Sequence, residues 1–451
     1  MRRPTMRSLA GGAAGIAAGI LGGIVLGSVA AGGTALPPAQ GPIEAAHLPP
    51  LLTMPGEPVT LRYAIVCSPR EDGRPCNGSG EVYLSPGRHE PFRRLALTRG
   101  DEAANGRYFV EVPAELAVSR DGFSYYAVLR DEASGDSVAV PSGGEAAPQR
   151  SLPLRNAVEV QLGAHAFGRT RSHDARVVTA QWGSDVGEAG VAGTRELGFV
   201  GPSAFDVDGN GIVTMLDQVN GRLQRWARGV TTTTPVDVSG GLADLAVEPD
   251  GSVDVLEPPN RTTPAPMLRR FDANGALKDV RRLADRTWAK LALGPDGPVV
   301  LQEPSEQWMP ASLDRAAQSR RGKPGRPLAG GRELLVQRVG STELRLAEVA
   351  GNAALRSWRI TSTTPLGEVQ LVEPLGSRIV VVVKAYTEIE DEYLVLVLDR
   401  AGVVEQFALS APQWADAAPL ARFRLARSSL YRLGSTSSGA FVDRFGLEVS
   451  R

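Results

Sequence analysis

Cysteine is nearly absent: the 451-residue chain holds two, Cys67 and Cys76, and no paired-cysteine spacing that could bind zinc. Histidine is almost as sparse, at four residues (His47, His89, His165 and His173), and none falls inside the repeated strand pattern described below. There is no G-x-S-x-G elbow and no phosphate-binding glycine loop, so nucleophilic hydrolysis and nucleotide chemistry lack their usual residues. An excess of one charge is missing too. Lysine plus arginine number 49 against 50 acidic residues, a formal charge of −1, which implies no general polyanion-binding role and no nucleic-acid partner.

One long uncharged run exists, and it lies at the start. Arg2, Arg3 and Arg7 precede Leu9–Ala35, which carries no charge and ends in the small-residue sites Ser28-Val29-Ala30 and Gly33-Thr34-Ala35. Residues 1–35 therefore read as a signal peptide or an N-terminal membrane anchor. Glycine and alanine make the run only weakly hydrophobic, which favours cleavage. Either way the chain is expected outside the cytoplasm, secreted or held in the cell envelope with its N-terminal segment as tether. Residues 36–56 are rich in proline, alanine and glycine and read as a linker.

Residues 57–142 show short alternating strands separated by turn clusters, among them VTLRYAIVC, GEVYLS, GRYFVEV and FSYYAVLRD. This spacing predicts a small β-sandwich, and Tyr125-Tyr126-Ala-Val resembles fibronectin type III or immunoglobulin-like modules. Both cysteines fall here. In an exported protein their default is a Cys67–Cys76 disulfide closing a short loop at a strand end. Residues 143–155 read as a second linker.

From residue 156 to 451 the chain repeats itself. Phe205–Asp217 (FDVDGNGIVTMLD), Leu245–Glu257 (LAVEPDGSVDVLE) and Leu291–Glu303 (LALGPDGPVVLQE) share one template. An apolar pair leads to a glycine at position seven (Gly211, Gly251, Gly297), and a carboxylate closes each copy at position thirteen (Asp217, Glu257, Glu303). A blurred copy starts at Phe423, and two β-rich stretches, Glu333–Ile360 and Val369–Leu409, fill the gap. A period of roughly 40–50 residues built of short strands predicts propeller blades, because one blade cannot bury both faces alone. Three clear copies, one blurred copy and two inferred units suggest six. The expected architecture is all-β: a small β-sandwich followed by a six-bladed β-propeller. Val158–Gly163 (VEVQLG) is the expected closing strand of the ring.

The best copy carries a specific pattern. Pro202, Phe205, Val207, Asp208, Gly211, Val213, Asp217, Asn220, Arg222 and Trp226 stand in the order and spacing of an NHL repeat, which the sequence resembles. The NHL family builds six-bladed propellers, and SMP-30/gluconolactonase-type propellers are similar. In that pattern Asp208, Gly211, Asp217, Asn220, Arg222 and Trp226 are structural, with Asp217 pairing across the blade to Arg222. The second copy keeps Asn260 but has Thr262 at the arginine position, and the third keeps neither.

Three features invite chemistry. Asp206-x-Asp208-x-Asn210-Gly211 matches the start of a calcium loop, but the aligned copies carry proline there and no helical pattern flanks it, so a hairpin is the expectation. Asp217, Glu257 and Glu303 share a register, and without the lost arginines they could converge on a divalent cation; solvated strand ends are the plainer reading. Ser312–Arg332 is basic and glycine- and proline-rich, the composition of an exposed loop between blades. The sequence thus points to a non-catalytic binding protein with no expected cofactor, whose propeller face recognises a protein or glycan partner. The competing reading is an SMP-30/gluconolactonase-like metal-dependent hydrolase.

Overall fold

A computed structural model of the chain describes residues 43–447 apart from 67–77, 88–90, 100–106, 142, 197, 240, 261–262, 264, 284–287, 303–306, 312–322, 352 and 419. Residues 1–35, both cysteines and Glu303 lie outside the described residues. The fold is almost entirely β, and among the described residues no helix is long and apolar enough to cross a membrane.

Two antiparallel sheets come first. Glu44–His47, Thr60–Val66, Arg107–Glu111 and Thr98–Arg99 form one. The other is built on Phe123–Asp131, paired with Gly78–Pro86, Ser137–Val140 and Gln149–Pro153. Alternation puts Leu61, Tyr63 and Ile65 of the first sheet and Phe123, Tyr125, Ala127 and Leu129 of the second into one shared core. His47 is buried among them, stacked on Tyr63.

The described residues of the two stretches whose composition suggests linkers, from Ile43 and from Gly143 on, are folded parts of this unit. Leu52–Thr53 and Gln149–Pro153 pair in parallel, and Leu51, Leu52, Leu152 and Leu154 pack against Leu335, Ala347 and Val349 of the repeat region. Proline-rich composition misleads here because the segments also carry leucines spaced to present one apolar side. Their burial joins the N-terminal sheets to the repeats with a hydrophobic seam.

The repeats form antiparallel meanders, labelled here as sheets A to F. A spans Ala204–Val207, Val213–Asp217, Arg222–Ala227 and Val230–Pro235; B runs from Asp244–Val247 to Leu277–Arg282; C has Trp288–Gly294, Gly297–Gln302 and Gln307–Pro310. D runs from Arg326–Leu328 to Ala353–Thr361, E from Leu366–Leu375 to Val403–Ser410, and F holds Phe423–Ala426, Ser429–Thr436 and Gly439–Gly446. The first strand of each sheet lies beside that of the next: A meets B, B meets C, C meets D, and E meets F, which meets A. An ion pair between Arg326 and Glu373 links D to E. The inner strands therefore complete a ring, the arrangement of a β-propeller.

Closure is not made by Val158–Gly163. Ala175–Gln181 pairs with Gly439–Gly446 and completes sheet F, whereas Val158–Gln161 adds a parallel fifth strand to sheet D. Position along the chain explains the exchange. The seven residues of Ala175–Gln181 match the open edge of F, and a short hairpin, Ala192–Thr194 with Gly198–Val200, stands between them and sheet A. Val158–Gln161 follows directly from the seam already seated on D.

Candidate functional site

In a meander, the hairpin between strands two and three and the connection to the next sheet fall at the same end. Asp217, at the end of the second strand of A, therefore lies beside the segment entering sheet A. Its carboxylate is fully buried and takes four donors: Arg222 Nε at 2.8 Å, Asn220 Nδ2 at 2.9 Å, Gln224 Nε2 at 3.4 Å and the Gly190 N–H at 3.0 Å. The Arg222 guanidinium goes on to the carbonyls of Ser184, Asp185 and Glu188, and Asn220 to that of Gly183. The motif residues thus form a clamp on segment 183–190. Gly190 is required there, since a Cβ would come within 2.7 Å of Asp217 Oδ1.

Glu257 does the same work one sheet on. It is 2% exposed, accepts the Ser239 N–H of the incoming connection, and pairs with Arg269 Nε at 2.6 Å. The expectation of an unpaired carboxylate is thereby corrected. Arg269 lies across from Val255, the register that Gln224 holds opposite Met215 in sheet A. The hairpin after Glu257 is longer, so counting five residues on from the carboxylate reaches Thr262 and misses the arginine. Asp217 and Glu257 do not converge on a shared centre, and Glu303 lies outside the described residues.

Asp208 closes a turn, its Oδ1 accepting the N–H groups of Asn210 and Ile212, both at 2.8 Å, with Gly211 at φ 82°. Asp206 belongs to the inner strand, so the two carboxylates serve different structures and the calcium-loop spacing is a hairpin. Trp226 packs half-buried on the core between sheets A and F.

The inner strands carry a charge cluster that sequence reading missed. Arg424 of F reaches Asp244 of B at 2.6 Å and Asp206 of A at 3.8 Å. Asp206 also accepts the Val247 N–H, and Asp244 the Leu291 N–H, so each aspartate ties its own inner strand to the next. Lys290 of C donates to the Gln370 carbonyl of E at 3.0 Å. Burial pushes the Asp206 carboxyl up against the pull of Arg424, and burial followed by repulsion from Arg424 brings the Lys290 ammonium down to about 8. The acids Asp206, Asp244 and Glu373 are matched by the bases Lys290, Arg326 and Arg424. The available signal was a charged residue inside each apolar strand pattern, as in Phe205-Asp206-Val207.

This donor set does not fit a resident divalent cation. Both oxygens of Asp206 and Asp244 are already occupied by backbone N–H groups and the Arg424 guanidinium, which stands where a cation would be drawn. Among the described residues no group of three or more histidine, cysteine, aspartate or glutamate side chains is placed to hold a metal ion.

At the clamped end lies a set of aromatic rings. Phe199 stacks on Trp414 with centroids 4.2 Å apart, and Trp182 lies tilted 5.5 Å from Trp414. All are half-exposed. Trp182 Nε1 donates to the Thr436 carbonyl, and the backbones of 199–201 and Asp416 exchange hydrogen bonds, which fixes the rings to sheets A and F. Beside them Gln413 accepts from the Ser435 N–H, and its buried Nε2 has no partner among the described residues.

No family model matches the sequence, and no curated protein matches it. Among solved structures the chain is similar to a streptogramin B lyase, at 9% identity and TM-score 0.30, covering 54% of this chain and 93% of that one. It is similar to apo AztD from Citrobacter koseri at 12% and 0.29, covering 82% and 100%, and to a gluconolactonase from Xanthomonas campestris at 13% and 0.26, covering 61% and 100%. Likeness at this level assigns no activity to the chain.

Proposed function

We propose that this chain is an exported, non-catalytic binding protein, a β-sandwich followed by a six-bladed NHL-like propeller, whose clamped end recognises a protein or glycan partner. The observation that carries the reading is the contact of Trp182, Phe199 and Trp414, half-exposed and held on segments that the Asp217 clamp and the Asp416 backbone bonds immobilise. Aromatic rings on a rigid support present contact area at little entropic cost. The inner-strand cluster supports the non-catalytic side, because its acids and bases neutralise one another and leave no carboxylate to bind metal or move a proton. Tryptophan emission, titrated with neutral and acidic oligosaccharides and with secreted proteins of the same source, tests the assignment. Trp414→Ala should weaken the wild-type interaction at least about tenfold with an unchanged melting temperature. Undiminished binding by the variant removes this face from consideration, and turnover of lactones by the wild type revives the hydrolase.

A further inference from the structure

Opposite the clamped end, the turn joining the first two strands of sheet B brings two buried carboxyls to one guanidinium. Asp254 sits in the second strand, 1% exposed and across from Arg270, and Arg270 pairs with Glu248, just past the first strand. Both carboxyls are acceptors when ionised. Asp254 Oδ2 and Glu248 Oε1 are buried, and no donor from the rest of the described protein reaches either atom. A proton held by one of the two carboxyls supplies the hydrogen that this pair of buried acceptors lacks.

The surroundings show why the site tolerates one negative charge and not two. Glu248 Oε2 pairs with Arg270 of the third strand at 2.6 Å, and Arg270 also donates to Ser252 Oγ. Arg281 of the outer strand acts on Asp254 from further off. Asp250, in the turn, is satisfied by Ser252, and Arg225 of sheet A donates to the Gly251 carbonyl at 2.7 Å. Across the interface the described residues Leu291, Val300 and Met309 of sheet C pack an apolar surface on the same side of sheet B. Burial first, and the hydrogen bond to Glu248 second, push the Asp254 carboxyl up to about 7.

We propose that Asp254 and Glu248 share one proton as a latch on the turn Glu248–Ser252, and that opening the turn releases this proton, so that raising the pH toward neutrality loosens this end of the A–B–C junction. The closed state is the one with Glu248 N–H bonded to the Ser252 carbonyl and Gly251 N–H to that of Glu248, both at 2.9 Å.

Hydrogen exchange of the full chain, followed by mass spectrometry on peptides covering residues 245–256, tests the latch between pH 5.5 and 8.5 after correction for intrinsic exchange. Protection in the wild type should fall at least about tenfold between pH 5.5 and about neutrality and level off from there to pH 8.5. Asp254→Asn, which keeps a donor toward Glu248 and carries no charge, should stay protected throughout. Glu248→Gln should do likewise with Asp254 ionised, and serves if the first variant fails to fold. A wild-type profile that matches the variants, or is flat to pH 8.5, overturns the proposal.

Discussion

Arg222 Nε meets Asp217 Oδ2 at 2.8 Å in a place where the carboxylate is wholly buried, and the same guanidinium holds three carbonyls of the segment that enters sheet A. The pair is less a bond within one hairpin than the means by which that hairpin holds its neighbour. Removing one partner leaves the other's charge in a low-dielectric site, which costs far more than the net value of the pair.

Arg222→Ala should therefore destabilise the protein by about 3–5 kcal/mol in urea unfolding, since it strands Asp217 and frees segment 183–190. Asp217→Asn, which keeps the acceptor for Gly190 but halves the pairing, should cost less. Trp182 emission should shift to the red in Arg222→Ala at denaturant concentrations well below the global transition. A loss under about 1 kcal/mol, with no change in emission, would show that the clamp is ornamental.

How far this arrangement could be read from the chain depends on loop length. Where copies keep the same hairpin, counting works: Phe205–Asp217 and Leu245–Glu257 are the expected strand–turn–strand units, with Gly211 and Gly251 at positive φ. Where a loop lengthens, counting fails, and Arg269 stayed hidden because its partner lies twelve residues away. The inner-strand cluster was invisible for a different reason. Asp206, Asp244 and Arg424 are neighbours only after the ring closes, and no local period encodes that. The apparent linkers failed because composition reports proline and glycine but not which leucines find a surface, as Leu52 and Leu152 do.

Metal removal should leave stability unchanged. Asp217 and Glu257 spend their oxygens on arginines and backbone N–H groups, and Asp206 and Asp244 do the same around Arg424. The melting temperature of the purified chain is expected to agree within about 1 °C in calcium and in EDTA, as for any protein without a ligand-linked term. A rise with calcium that saturates at one ion per chain would contradict the donor assignment.

The seam predicts cooperative melting. Arg345 is almost fully buried, donating to the Leu52 carbonyl at 3.1 Å and pairing with Glu57 and Glu343, while Leu52 is wholly buried beside it. Calorimetry should show one transition for the wild type. Leu52→Ala should cost about 2–5 kcal/mol and split the transition in two as the N-terminal sheets separate from sheet D. Retention of a single transition with a small shift would place the coupling elsewhere.

His47 gives a pH dependence of definite sign. Its Nδ1 lies 2.6 Å from the Arg62 carbonyl, which can only accept, so Nδ1 carries the hydrogen and Nε2 accepts from the Tyr125 hydroxyl at 2.8 Å. Burial lowers the imidazole to about 4, with the Arg62 bond opposing. A base whose folded value lies below its unfolded value of 6.5 stabilises fully above 6.5, and that contribution is lost as pH falls toward 4. The loss amounts to about 3 kcal/mol. Asp254 runs the other way, since its raised value makes the fold lose stability as pH climbs from 4 to about 7. The two slopes offset in the wild type, so its urea midpoint should vary little between pH 4.5 and 6.5. The variants should separate them. His47→Gln should lose stability on raising the pH across that interval, and Asp254→Asn on lowering it, because each retains the other's slope. Parallel profiles for both variants would show that neither group titrates as its burial requires.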